Sequence, residues 1–276
     1  MYTLNCKGRL LVIEEPVVMG ILNITPDSFY AGSRMSAVES AVNKARQMVA
    51  DGATIVDIGG QSTRPGSERI GATEELDRIL PVVEAIKKAI PDLYISIDTY
   101  HALVAEIAVK SGADLINDIS AGDMDEQMLE TVARLQVPYV AMHMKGTPET
   151  MQLNPSYEHV TTEVLDYFIH KADACRKAGI TDLIIDPGFG FGKTATHNFQ
   201  LLKHLEAFSI LPYPLLVGIS RKATIYKTLS ITPEEALNGT TVFNTVALQK
   251  GASILRVHDV KEAKEAIQLI SALKQA

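Results

Sequence analysis

Eight short apolar runs in this chain each end in a side chain that carries charge or makes strong hydrogen bonds. The ends are Asn23, Asp57, Asp98, Asn117 with Asp118, His143, Asp186, Ser220 with Arg221 and Lys222, and Arg256 with His258. A carboxylate or amide inside a buried strand costs several kcal/mol unless it is paired. One such residue is ordinarily a satisfied structural group. A polar end on every one of the eight runs points to a shared ligand site. Asp98, Asn117 and Asp186 offer groups that match a flat heterocycle with several N–H donors and ring acceptors. Lys222, Arg256 and His258 offer positive charge to a phosphate or carboxylate. Asn23 and Asp27 can give oxygen ligands to a hard cation such as Mg2+, which bridges phosphates with few protein ligands. Met142 and Phe191 can clamp an aromatic ring from either face.

The elements that must position these groups are legible in the pattern. The runs are residues 17–24, 54–60, 93–99, 114–120, 138–144, 182–188, 214–220 and 253–259. Most are nearly continuous in apolar residues, as parallel strands covered on both faces are. Helical periods lie between them. Residues 36–51 place Val38, Ala41, Val42, Ala45, Met48 and Val49 on one stripe, opened by a Ser36…Glu39 capping box. Asp123…Glu126, Thr232…Glu235 and Asp259…Glu262 read as further helix starts, with Pro233 at a first helical position. The last helix carries Val260, Ala263, Ile267, Ile270 and Leu273 on its apolar face. The phrases DGA, SGA, AGI and KGA precede strands, with Gly ending each helix in the left-handed conformation. Eight βα units at 276 residues predict an α/β fold, a TIM (β/α)8 barrel forming a single domain over residues 1–276. A doubly wound open sheet is the rival, but its first turn is usually Gly-rich, and the turn here, NITPDSF, contains no glycine.

Composition removes whole classes of function. The chain is 46 % hydrophobic, 21 % charged and carries a formal charge of −7. That excludes a disordered chain and gives no global attraction for nucleic acid or an anionic membrane. Cys6 and Cys175 have no metal or disulfide spacing and read as free thiols in a reducing cytosol. No signal peptide pattern opens the chain, and no apolar stretch reaches the ~18–20 residues that span a bilayer. The segment GFGFGKT (188–194) resembles a phosphate loop, but Pro187 stands where the Walker glycine belongs, so it reads as an extended strand-end loop. No H-E-x-x-H zinc motif is present, and Ser220 lies in GIS rather than G-x-S-x-G. Lys222 as a Schiff-base lysine stands as a minor alternative to an anion-facing corner. The long connections TPDSFYAGSRM and QSTRPGSERIGAT have no helical period and read as lids over the barrel mouth.

These pieces together resemble the dihydropteroate synthase family of the folate pathway. The matching segments are MGILNITPDSF (19–29), DIGGQSTRPGS (57–67), ISIDT (95–99), INDIS (116–120), MHMKG (142–146), DPGFGFGK (186–193), GISRK (218–222) and RVHD (256–259). The resemblance implies that Asp98, Asn117, Asp186 and Lys222 bind a pterin. Met142, Phe191 and Arg256 would stack around it. Asn23, Thr63, Arg256 and His258 would hold a diphosphate, with Asn23 at its Mg2+. Phe29, Thr63, Arg64 and Pro65, with Lys222, would receive p-aminobenzoate. Asp98, Asp186, Lys222, Arg256 and His258 would be catalytic. Ala223 departs from the serine that often follows SRK in the family. The resemblance further implies small-molecule substrates, a sulfonamide target, a cytoplasmic location and a homodimer. Two alternatives belong to other classes: a pterin-barrel methyltransferase acting on methyltetrahydrofolate, and a binding module without catalysis.

Overall fold

The chain opens with an antiparallel hairpin, β1 (Tyr2–Cys6) and β2 (Arg9–Ile13), joined by a two-residue turn. Lys7 and Gly8 both have positive φ (55° and 87°), the backbone that a tight hairpin of this hand requires. Eight parallel strands follow. They are β3 (Val17–Asn23), β4 (Ile55–Gly59), β5 (Tyr94–Asp98), β6 (Leu115–Asp118), β7 (Tyr139–Met142), β8 (Leu183–Asp186), β9 (Leu216–Val217) and β10 (Ile254–Val257). Each falls inside one of the apolar runs. The structure, a computed structural model, describes residues 1–24, 34–61 and 69–276.

The strands neighbour one another in sequence order from β3 to β8, and β10 returns to pair with both β3 and β9. Ile185 of β8 bridges to Leu215, and its N–H donates to the Pro214 carbonyl at 3.1 Å. That contact draws the last gap together and closes the (β/α)8 barrel. The helices are α1 (Arg34–Ala50), α2 (Ala72–Ala89), α3 (Ala102–Lys110), α4 (Met128–Leu135), α5 (Val160–Ala178), α6 (Ala195–Lys203), α7 (Ala223–Leu229), α8 (Leu237–Gln249) and α9 (Val260–Gln275). No described helix is long and apolar enough to cross a membrane.

Side chains alternate along a strand, so each strand has two readerships. Val56, Ile58, Ile95, Ile97 and Ile116 face outward into the layer shared with the helices. Met19, Ile55, Leu115, Val140, Ile184, Leu216 and Ile254 face inward and fill the lower barrel. Leu4, Cys6, Leu11 and Ile13 of the hairpin pack on that inner layer. The hairpin is therefore the floor of the barrel. Arg9 fastens it by donating to the Asp92 and Leu93 carbonyls and by pairing with Asp114 at 3.2 Å.

Gly52, Gly112, Gly179 and Gly251 all take positive φ, as the four helix-to-strand phrases imply. The helix starts differ from expectation. α1 begins at Arg34, two residues ahead of the Ser36 box. α4 begins at Met128, not near Asp123, which pairs with Lys171 at 2.7 Å. Residues 232–236 form a turn in which Glu235 accepts from the Thr232 N–H at 2.9 Å, and α8 follows. Asp259 does precede α9, but its carboxylate makes no cap because Arg221 occupies it. Val49 and Leu273 are exposed and lie off their apolar faces.

The hairpin floor carries a stability prediction. Leu11→Ala removes a buried side chain from the inner layer and is expected to cost about 2–5 kcal/mol in urea unfolding. A change near zero would mean that the hairpin does not bear on the barrel core.

Candidate active site

The inward positions continue upward with the same two-residue step. Two residues beyond Ile55 stands Asp57; beyond Leu115, Asn117; beyond Val140, Met142; beyond Ile184, Asp186; beyond Leu216, Gly218; beyond Ile254, Arg256. The strand geometry thus raises a polar layer directly on the apolar one, at the C-terminal mouth where barrels place their chemistry.

Arg256 ties this layer together. Its Nε donates to Asp57 Oδ2 at 2.7 Å, and a terminal nitrogen donates to Asp98 Oδ2 at 2.6 Å. Asn117 Nδ2 donates to the same Asp57 oxygen at 2.9 Å. Asp57, Asp98 and Asn117 are buried. Burial opposes charge on Arg256, but Asp57 and Asp98 hold it firmly protonated. Burial, with Asp57 and Asp118 nearby, pushes Asp98 up to about 7 although Arg256 pulls the other way. Two acids share one base, so the ionised trio carries a net negative charge.

Asp186 faces this trio from β8. Its Oδ1 accepts from the Gly188 N–H at 2.8 Å. Burial raises its pKa, and Lys222 opposes. Gly218 leaves room between them: a Cβ there would meet Arg256 and Asp186 Oδ2 at 3.8 Å. Lys222 Nζ donates to the Phe189 carbonyl at 2.6 Å and lies 4.6 Å over the Phe191 ring. Burial pushes Lys222 down to about 8 against the pull of Asp186. Met142 and Phe191 belong to one buried apolar cluster with Tyr100, Ile119 and Met151. The mouth therefore has an acidic and amide row, a fixed cation, a lysine and an apolar wall.

Asn23 is exposed at the end of β3, on the rim. A Cβ on Gly59 would lie 3.6 Å from Asn23 Oδ1 and 3.5 Å from Asp98 Cβ, so the two flank that glycine. His258 is exposed after β10, its Nδ1 3.1 Å from Ser220 Oγ. The protein packed against it and the Arg256 charge lower its pKa. Asp27, Phe29, Thr63, Arg64 and Pro65 lie outside the described residues. Arg221 corrects the picture of an anion-facing corner. It is held away by both oxygens of Asp259 and by the Pro233 and Glu234 carbonyls. Ala223 is exposed and opens α7. Two other polar strand ends serve structure. Asp118 accepts from Ser120, Gly122 and Tyr139. His143 meets Lys193.

A family model described as "Pterin binding enzyme" matches residues 19–258. The dihydropteroate synthase of Escherichia coli (strain K12) is 44 % identical over 275 residues, 99 % of this chain and 97 % of the relative. The chain belongs to the dihydropteroate synthase family. Among solved structures, the Yersinia pestis dihydropteroate synthase with a sulfonamide drug complex superposes with a TM-score of 0.93 at 42 % identity, covering 100 % of each chain. The Xanthomonas albilineans dihydropteroate synthase with 4-aminobenzoic acid gives 0.92 at 40 % identity, covering 99 % of this chain and 98 % of the other.

Two residues at this family member's mouth are given no role by the resemblance. Asp57 was visible as a polar strand end, but its pairing with Arg256, 199 positions away, has no local signal. Glu75, in the first turn of α2, is the second. It is buried, accepts from Thr99 Oγ1 at 3.0 Å, and so braces the residue after Asp98. Its Oε1 has no hydrogen-bond partner among the described residues. Burial, with Asp98 adding to it, pushes Glu75 from 4.5 up to about 8. The folded chain keeps a proton there that the unfolded chain releases. The stability this gives is full below pH 4.5 and is lost as pH rises through about 8. Glu75→Gln is expected to reduce the fall in unfolding free energy across that window, measured by urea titration at several pH values. An unchanged slope would mean that Glu75 is ionised in the fold.

Proposed function

We propose that this chain joins 6-hydroxymethyl-7,8-dihydropterin diphosphate to p-aminobenzoate, giving 7,8-dihydropteroate and diphosphate. One observation carries the reading: at one barrel mouth Asp57 and Asp98 pair with a fixed guanidinium, Asn117 donates to Asp57, and Asp186 stands across Gly218 from the Arg256 side chain. A heterocycle rich in N–H donors fits the acceptor row. Asp57 Oδ1, buried and without a partner among the described residues, is an acceptor of the kind such a ring satisfies. Relatives were solved with 4-aminobenzoic acid and with a sulfonamide drug.

An arylamine is neutral at pH 7, so the difficulty lies in the leaving group. As the C–O bond to diphosphate breaks, positive charge develops on the pterin methylene and spreads into the ring. In their ionised forms Asp98 and Asp186 stabilise that cation, while Arg256 and His258 stabilise charge at the mouth's anion side. The displacement is therefore dissociative, SN1-like in character. Mg2+ belongs in this reading on the chemistry of the donors. Among the described residues no three His, Cys, Asp or Glu side chains form a cage. The exposed Asn23 amide is the kind of single protein oxygen that Mg2+ accepts when phosphate and water fill its other positions. When bound, the ion neutralises charge on the departing diphosphate. Phe29, Thr63, Arg64 and Pro65 are assigned to p-aminobenzoate, and Thr63 also to diphosphate, by resemblance alone.

The chain acts in this reading as one catalytic unit over residues 1–276, in the cytoplasm, and as a homodimer through its later helices. Exposed Val242 and the Phe199–Phe243 ring pair, 5.7 Å between centroids, supply an apolar face there. The methyltransferase alternative needs no diphosphate site, and the Lys222, Arg256 and His258 group disfavours it.

Incubation with the pterin diphosphate, p-aminobenzoate and Mg2+, followed by chromatography, is expected to yield dihydropteroate. Asp98→Asn is expected to lower kcat by about 10²-fold or more. No product from the native chain would sink the assignment, and near-native turnover in the variant would remove Asp98 from its role.

A further inference from the structure

The GFGFGK segment is not extended. Gly188, Gly190 and Gly192 take φ of 69°, 83° and 63°, and Phe191 N–H donates back to the Gly188 carbonyl at 3.1 Å. The turn lies backbone against backbone on the end of β7. A Cβ on Gly188 would fall 1.9 Å from the His143 carbonyl oxygen, and one on Gly192 would fall 2.4 Å from that of Lys145. Side chains at those positions therefore cannot hold the turn. Lys193, at its end, can.

Lys193 is 2 % exposed. Its Nζ lies 2.8 Å from His143 Nδ1, 3.0 Å from the Gly188 carbonyl, 3.1 Å from that of Phe191 and 3.3 Å from that of His143. No carboxylate among the described residues comes within ion-pair distance, so these acceptors replace its water. Burial and Lys193 push His143 down to about 2, which keeps the ring neutral. Nδ1 then accepts, and the ring proton sits on Nε2.

The four acceptors come from two segments only. His143 follows Met142, and Gly188 and Phe191 bound the turn. The same turn donates to Asp186 Oδ1 through Gly188, and accepts Lys222 Nζ through Phe189. Phe191 and Met142 share one apolar cluster.

We propose that Lys193 is a positioning residue for the ring substrate: its amine clasps the Gly188–Gly192 turn to the end of β7 and so sets Phe191 against Met142 and aims Asp186 and Lys222. This rests on the reading of the mouth as a pterin pocket. Arg256, Asn23 and His258 are not among the clasp's contacts, so the anion side is independent of it.

The test uses calorimetry with two probes, 6-hydroxymethylpterin and inorganic diphosphate with Mg2+, on the native chain and on Lys193→Met. The variant is expected to lose about tenfold or more in pterin affinity and to keep diphosphate affinity within about twofold. In turnover, KM for the pterin diphosphate is expected to rise by a larger factor than kcat falls. His143→Leu removes one acceptor, leaves the amine, and is expected to shift pterin affinity the same way by a smaller factor. It decides the matter if Lys193→Met does not fold. Native pterin affinity in a folded variant, or equal losses for both probes, would overturn the clasp. A native chain that binds no pterin would overturn the pocket itself.

Discussion

One guanidinium shared by two buried carboxylates organises this molecule's mouth. Arg256 comes from the last barrel strand, Asp57 from the second and Asp98 from the third. Three long-separated segments must therefore be in register before the contact exists. A buried pair of this kind is weak evidence for stability, because desolvation offsets much of the attraction. Its stronger consequence is geometric and electrostatic. The cation is fixed at the mouth, and while both carboxylates are ionised the trio is net negative beside the space proposed for the ring.

The barrel makes that contact possible through its alternation. The inner apolar layer of Ile55, Leu115, Ile184 and Ile254 forces the next inward positions, two residues on, to be Asp57, Asn117, Asp186 and Arg256. A slip of one residue in β4 would send Asp57 into the helix layer and Val56 or Ile58 into the mouth. The hairpin below matters for the same reason. It fills the inner layer from beneath, with Leu4, Cys6, Leu11 and Ile13, and so supports the layer on which the polar groups stand.

Much of this was legible from residue order. Apolar runs marked all eight strands, and most of their polar ends marked the mouth, Asp118, His143 and Arg221 being the exceptions. The four glycines before strands marked helix ends correctly, because left-handed backbone is a local requirement. What escaped was long-range. Asp259 has the spacing of a cap, yet Arg221 takes its carboxylate from 38 positions away. The glycine turn read as extended because nothing local reveals an amine waiting inside the fold at Lys193. The hairpin is hard to read because the continuous apolar run Leu10–Ile13 hides the alternating burial of β2. Assignments at Phe29, Thr63, Arg64 and Pro65 rest on motif likeness and fall outside the described residues.

The central claim is that Arg256 and its carboxylates act as one unit. A double-mutant cycle between Asp57→Asn and Arg256→Gln, read as kcat/KM for the pterin diphosphate, tests it most directly. The account predicts that the double variant is little worse than Arg256→Gln alone, with a coupling of about tenfold or more. Losses that simply multiply would contradict it.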